Sequence, residues 1–192
     1  MIKGRVKIET IKKVRAAMSL LGFDTCPFAL PEISHDPKKD KDQGSCHMTT
    51  RNISVNTNIV SSFTMYHELT HSQQVFNSCK NGYCKANGDI DLCKYRDDIY
   101  EQQANIIAGL LTGIVSIREL FFVFYITKNQ HDFLYICQNI VLQKRQGLPA
   151  LESNFYSRNI KKMLSRAGRV KYGRFLKSQF QEKLTAMKNH QI

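Results

Sequence analysis

The sequence predicts a mainly α-helical fold with a small β-sheet. Several segments carry apolar residues three or four positions apart, the spacing that places side chains on one face of a helix. Residues 48–56, MTTRNISVN, instead alternate apolar and polar residues and predict one short strand. Two segments, 24–47 and 78–95, are rich in residues that favour turns and predict mobile surface loops.

The first predicted element is an amphipathic helix over residues 5–21, which ends near Gly22. An organelle transit peptide has the same basic amphipathic pattern and is an alternative to a surface helix. The segment has no continuous apolar stretch of the kind that secretory signal peptides contain. We therefore expect an intracellular or virion-associated protein rather than a secreted one.

A second helix is predicted to begin near Asn56 or Asn58, either of which could cap it, and to continue through IVSSFTMYHELTHSQQVF. The next helix follows the acids of DDIYEQQANIIAGLL, because negative charge favours a helix N-terminus. Two further apolar segments, LFFVFYI and FLYICQNIVLQKR, predict buried elements. Although residues 105–126 are long enough to span a membrane, Arg118 and Glu119 interrupt them, so no transmembrane segment is expected.

The chain is predicted to divide at Gly147-Leu-Pro149 into a domain of residues 1–150 and a basic helical extension of residues 151–192. The net charge is +12, and residues 141–192 supply +10 of it, with 12 Lys and Arg against two acids. The strong positive charge of this tail, residues 141–192, predicts an acidic partner, such as nucleic acid, an anionic membrane surface or an acidic protein. A helix that packs on the domain with a solvated basic face is the alternative.

The most informative motif is HELTH at residues 67–71, on the second predicted helix. Residues four apart share a helix face, so His67 and His71 can bind one zinc ion through ring nitrogens. Glu68 is offset by about 100° of helix rotation and is predicted to act as the general base on a metal-activated water. The pattern is short enough to arise by chance, but the helical context and the preceding strand favour a metal site.

A catalytic zinc ion takes a third protein ligand and leaves its last position to water. Glu101 is predicted to supply that ligand from the start of the following helix, with Asp97 or Asp98 as the next candidates. The alternative is that Glu101 only complements the helix dipole. Asn105, one turn beyond Glu101, is predicted to form a hydrogen bond with the outer nitrogen of a ligand histidine.

HELTH, followed by a Glu at the start of a second helix in YEQQAN, resembles the gluzincin clan of zinc metallopeptidases, particularly its smallest single-domain members. The resemblance covers about residues 48–116. It implies a zincin-like core, in which two active-site helices pack together beside a strand that lines the cleft, and it implies hydrolysis of a protein or peptide substrate. The clan's N-E-x-x-S-D pattern is Y-E-Q-Q-A-N here, with Asn105 where an Asp is expected. In this resemblance the zinc ligands are His67, His71 and Glu101, and the base is Glu68.

Three further features concern the substrate, the cysteines and the oxyanion. The strand at 48–56, as an edge strand, is expected to pair with an extended substrate. Cys79, Cys84 and Cys93 lie in one loop and predict a structural zinc site, a disulfide or free thiols. The donor that stabilises the oxyanion is one of Tyr125, His131, Tyr135, Tyr156 and Arg158.

Two functions compete with the peptidase. A catalytically silent peptidase-like protein could serve as a structural part of a virion or nucleoprotein complex, docked through its basic tail. A nucleic-acid-binding protein with an incidental HExxH motif is the third possibility, and it would show salt-sensitive binding without stoichiometric zinc.

Overall fold

A computed structural model describes residues 4–47, 49–75, 98–127 and 129–147. These ranges contain four short strands and five helices, so the predicted mixture of helices with a small sheet is confirmed. The strands are β1 (Gly4–Arg5), β2 (Glu32–His35), β3 (Gly44–Cys46) and β4 (Ile53–Val55). The helices are α1 (Ile8–Leu20), α2 (Ser62–Gln73), α3 (Ile99–Leu111), α4 (Ile117–Ile126) and α5 (Gln130–Arg145).

The sheet has the strand order β1-β2-β4-β3. β2 and β4 run parallel, while β3 and β4 form an antiparallel hairpin in which Gly44 lies opposite Val55 and Cys46 lies opposite Ile53. The hairpin is closed by backbone hydrogen bonds from Arg51 N to His47 O and from His47 N to Asn52 O. β3 therefore lies at one end of the sheet, beside the inner strand β4.

Two predictions about this region are wrong. Residues 24–47 are not only a loop, because they contain β2, with the sequence EISH, and β3, with the sequence GSC. Both sequences are short and carry little apolar alternation. The predicted strand 48–56 is shorter than expected, and it lies between β2 and β3 rather than at the sheet edge. Pairing with β4 holds β3 in the sheet, and a sequence pattern does not reveal that long-range interaction.

α2 begins later than predicted, at Ser62. Its cap is Ser61, whose Oγ accepts a hydrogen bond from the backbone N–H of Thr64 at 3.1 Å. Asn56, one of the two predicted caps, instead donates its side-chain N–H to the backbone oxygen of Lys39 at 3.0 Å. Asn56 thus anchors the loop that follows β2.

α3 begins at Ile99 because the side chain of Asp98 accepts hydrogen bonds from the N–H groups of Tyr100 at 2.7 Å and Glu101 at 3.2 Å. Asp98 is thus a helix cap. The other alternative ligand, Asp97, lies outside the described residues. This cap fixes the first turn of α3 and with it the position of Glu101.

The chain divides into two compact units, Met1–Thr112 and Gly113–Ile192. In the first unit, α2 packs most extensively on α3, contacts α1, and faces β3 and β4 on the sheet. Its core contains fully buried aliphatic side chains from the three helices and β4: Ile11, Val14, Met18, Ile53, Leu69, Ile106 and Ile107. The helix that carries HELTH therefore lies at the centre of this unit.

In the second unit, α4 and α5 contact each other. α4 starts with a capping box between Ser116 and Glu119, and an edge-to-face pair of Phe124 and Phe133 joins the two helices at 5.3 Å between ring centroids. Cys137 on α5 is fully buried. The helices seen in the described ranges are all too short or too polar to cross a membrane.

Several predictions lie outside the described residues. These are the domain boundary at 150, the basic extension 151–192, the loop 78–95 with its three cysteines, and the candidate oxyanion donors Tyr156 and Arg158.

Candidate metal centre

One face of α2 carries the two histidines of the motif. His67 and His71 are each 8% exposed, and their rings meet edge to face with centroids 4.6 Å apart. Their Nε2 atoms lie 3.0 Å from each other. Leu69, fully buried between them in the chain, holds the opposite side of the helix in the core. The spacing of four residues thus brings two nitrogen ligands to one point.

α3 brings the third side chain to the same point. Oε2 of Glu101 lies 3.1 Å from Nε2 of His67, and Oε1 lies 3.2 Å from Nε2 of His71. Ala104 and Ala108 are fully buried along α3, and their small size suits the close packing of α3 on α2. The structure therefore forms a buried group of two histidines and one glutamate that could hold a metal ion.

The three donor groups are spaced as the ligands of a single metal ion would be. Ligand bonds of about 2.0–2.1 Å in a tetrahedral site separate neighbouring donor atoms by roughly 3.3 Å, close to the 3.0–3.2 Å found here. Oε2 of Glu101 is buried without a hydrogen-bond partner in the described part of the chain. Lone pairs that face one another in a buried space need a cation between them, either a proton or a metal ion.

The charges of the cluster depend on one another. Burial alone lowers the pKa of His71, but the carboxylate of Glu101, with a smaller contribution from Glu68, raises it to about 9. Burial raises the pKa of Glu101, yet the two histidines more than offset this and hold it far below its usual range. In the metal-free protein a proton on His71 therefore balances the buried carboxylate.

Glu68 lies beside strand β3. A Cβ atom added to Gly44 would lie 2.6 Å from both Cγ and Oε1 of Glu68, so a larger residue there would require this carboxylate to move. Glu68 is itself buried. Sequence reasoning treated Gly44 as part of a loop and missed it, because its importance depends on a contact with a residue 24 positions away.

The outer nitrogens of the two histidines differ in their surroundings. Nδ1 of His71 lies 2.8 Å from Oε1 of Gln74, a residue that sequence reasoning did not single out. Nδ1 of His67 is buried, with no hydrogen-bond partner in the ranges that the structure describes. Asn105 is buried on α3 one turn beyond Glu101. Its predicted hydrogen bond to a histidine stays a prediction.

The remaining oxyanion candidates belong to the second unit. Tyr125 on α4 and Tyr135 and His131 on α5 are all exposed. Their proposed role stays a prediction.

Comparison of the chain with protein-family models gives no match. Comparisons with curated proteins and with solved structures give no match either. The likeness to gluzincins therefore depends on the HELTH motif, the later glutamate and the cluster that they form.

Proposed function

We propose that the protein is a zinc-dependent metallopeptidase with a zincin-like core. The observation that carries the proposal is the convergence of His67, His71 and Glu101, whose donor atoms lie 3.0–3.2 Å apart in a buried site. Two imidazoles and one carboxylate are a ligand set found in catalytic zinc sites, which keep one position for water. A structural zinc site would instead use four protein ligands, usually with cysteines among them.

Zinc bound by these three side chains would supply Lewis acidity, which lowers the pKa of a water molecule to about 7 and polarises the scissile carbonyl. Glu68 follows His67 directly, so its carboxylate projects from the helix strip next to the ligands. In the proposed mechanism, Glu68 accepts a proton from the attacking water and passes it to the leaving amine. Burial beside Gly44 restricts the positions that this carboxylate can adopt.

The substrate is proposed to bind along β3. This strand lies at the end of the sheet and contacts α2, which carries the proposed ligands and base. An extended peptide can add to such an edge through backbone hydrogen bonds, which are independent of side-chain identity. β3 thus replaces residues 48–56 as the proposed substrate-binding edge.

Metal analysis combined with peptide cleavage tests the proposal. Wild-type protein is expected to bind one zinc ion and to cut an unbiased peptide library, with products identified by mass spectrometry. Glu68→Gln should retain zinc but cleave about 10²–10⁴-fold more slowly, because only the base is removed. Glu101→Gln should lose both zinc binding and peptide cleavage, because it removes a proposed ligand.

Zinc binding without cleavage by the wild-type protein would contradict the peptidase and favour the silent structural protein. Equal cleavage by wild type and Glu68→Gln would remove Glu68 from the mechanism.

A further inference from the structure

We infer that Gln74 is a positioning residue: its side-chain oxygen fixes the tautomer of His71, and its amide ties His71 to the helix that carries Glu101. The inference rests on the proposed function only to the extent that the cluster binds a metal. Gln74 follows α2 directly and has no exposed surface. Its side chain lies between the end of α2 and the first turn of α3.

The orientation of the Gln74 amide follows from its neighbours. Its nitrogen lies 2.9 Å from the backbone oxygen of Tyr100, which can only accept a hydrogen bond, so this atom must be the donating Nε2. The same nitrogen lies 3.1 Å from Oε1 of Gln103. Oε1 of Gln74 therefore faces His71, where it lies 2.8 Å from Nδ1.

The amide orientation decides which nitrogen of His71 carries hydrogen. An amide oxygen can only accept, so Nδ1 must donate, and the neutral ring keeps its lone pair on Nε2. Nε2 is the atom that lies 3.2 Å from Oε1 of Glu101 and 3.0 Å from Nε2 of His67. Gln74 therefore presents the correct nitrogen of His71 to the metal.

Gln74 also sets the distance between the two ligand-bearing helices. Tyr100, whose oxygen accepts from Gln74, immediately precedes Glu101 in the first turn of α3. One side chain thus forms hydrogen bonds with a ligand histidine and with the peptide unit next to the ligand carboxylate. Its backbone oxygen accepts from Nη1 of Arg51 at 2.9 Å, which holds the residue in place from the other side.

Gln73 provides a matched control. It has the same side chain and no exposed surface, but its amide donates to Ala29 O at 3.0 Å and Ser72 Oγ at 2.9 Å, and its oxygen accepts from Arg15 at 3.1 Å. None of these partners belongs to the metal cluster. A substitution there removes a buried amide without changing the hydrogen bond to His71.

The experiment compares zinc affinities of full-length wild type, Gln74→Met and Gln73→Met by competition with a chromophoric chelator. Loss of the outer hydrogen bond is expected to weaken zinc binding about 10–100-fold in Gln74→Met. Gln73→Met should remain within about threefold of wild type, although both variants lose a buried amide. The visible spectrum of the cobalt-substituted protein should change only in Gln74→Met, because only there does a ligand ring lose its orientation.

A second measurement needs no variant. Nitrogen NMR of the histidine rings in zinc-loaded wild type should show that His71 is protonated at Nδ1 and binds through Nε2. Binding through Nδ1, or an unchanged zinc affinity in Gln74→Met, would overturn the inference and leave the proposed function intact. Failure of the wild type to bind zinc would overturn both, whereas zinc binding without cleavage would contradict only the proposed function.

Discussion

Glu68 and Gly44 share one small space at the edge of the sheet. The carboxylate occupies the position that a side chain at residue 44 would fill, with 2.6 Å from the ideal Cβ position to Cγ and Oε1. Real Cβ atoms do not approach other heavy atoms so closely, so one of the two groups would have to move. Glycine at residue 44 therefore leaves free the space that the carboxylate of Glu68, the proposed base, occupies.

Gly44→Ala should displace Glu68 while the three ligands keep their places. A displacement of about 1 Å at a reacting group can reduce the rate roughly 100-fold, and we expect a loss of that order in kcat of peptide cleavage. Zinc affinity should remain within about threefold of wild type. Ser45→Ala, the neighbouring exposed position on the same strand, is the control and should retain activity. Full activity of Gly44→Ala would show that Glu68 has room elsewhere.

Residue-level patterns predicted the cluster but not its surroundings. His67 and His71 could be recognised because helical periodicity is encoded within five residues. Glu101 was the favoured third ligand, but the sequence left Asp97 and Asp98 at the same helix start as alternatives. Gln74 and Gly44 act through contacts with residues brought close by folding, and no spacing rule reveals such contacts.

At the scale of elements, the end of α2 is held by the turn of the β3–β4 hairpin. Arg51 lies in this turn with φ of 62°, and its Nη1 donates to the backbone oxygens of Ser72 and Gln74, both at 2.9 Å. Carbonyl groups at a helix C-terminus lack partners within the helix and carry partial negative charge. The guanidinium group of Arg51 donates hydrogen bonds to these carbonyl groups, and its positive charge balances their partial negative charge.

Arg51→Gly should lower the free energy of unfolding by about 2–4 kcal/mol, since its two hydrogen bonds contribute roughly 1.5–3 kcal/mol each and glycine recovers about 1–2 kcal/mol at the positive φ. Because glycine adopts the positive φ without strain, the destabilisation comes from the lost hydrogen bonds. Urea denaturation of metal-free protein measures the change. Lys12→Ala, which removes an exposed ion pair with Glu9, serves as the charge control and should change stability by less than about 0.5 kcal/mol.

The elements were predictable to different degrees. α1 could be predicted from the sequence, because it has a local apolar period and ends before Gly22, which has a positive φ of 73°. β3 could not, because its three residues join the sheet only through pairing with β4. The start of α2 was misplaced because Asn56 and Ser61 are both good caps in isolation, and only the contacts of Asn56 with the loop after β2 decide between them.

At the scale of the whole molecule, the buried group of His67, His71 and Glu101 connects stability with pH. The pKa of His71 is about 9 in the folded protein against 6.5 as the ordinary value, so its stabilising effect is fully present below pH 6.5 and is lost as the pH rises through 9. Glu101 has a lowered pKa, so its effect is present above its ordinary value of 4.5 and is lost as the pH falls below it.

Metal-free wild type should therefore become less stable as the pH rises from 6.5 to 9, which denaturant titrations at several pH values will measure. Glu101→Gln should abolish most of this slope, because the carboxylate that raises the pKa of His71 is gone. Zinc binding at neutral pH should release about one proton, since the metal displaces the proton of His71. Calorimetry in buffers with different ionisation enthalpies detects this release. If no proton is released, His71 does not carry the proton assigned to it in the metal-free protein.

The contact between Arg51 and the end of α2 also bears on where a substrate would be cut. Arg51 in the β3–β4 hairpin donates hydrogen bonds to the end of α2, the helix that carries both histidines, and so connects the edge strand to that helix. If a substrate peptide paired with β3, the bond at the proposed zinc site would lie a fixed number of residues from the first substrate residue that pairs with the strand. In the proposed peptidase, backbone register would then select the scissile bond more strongly than side-chain identity.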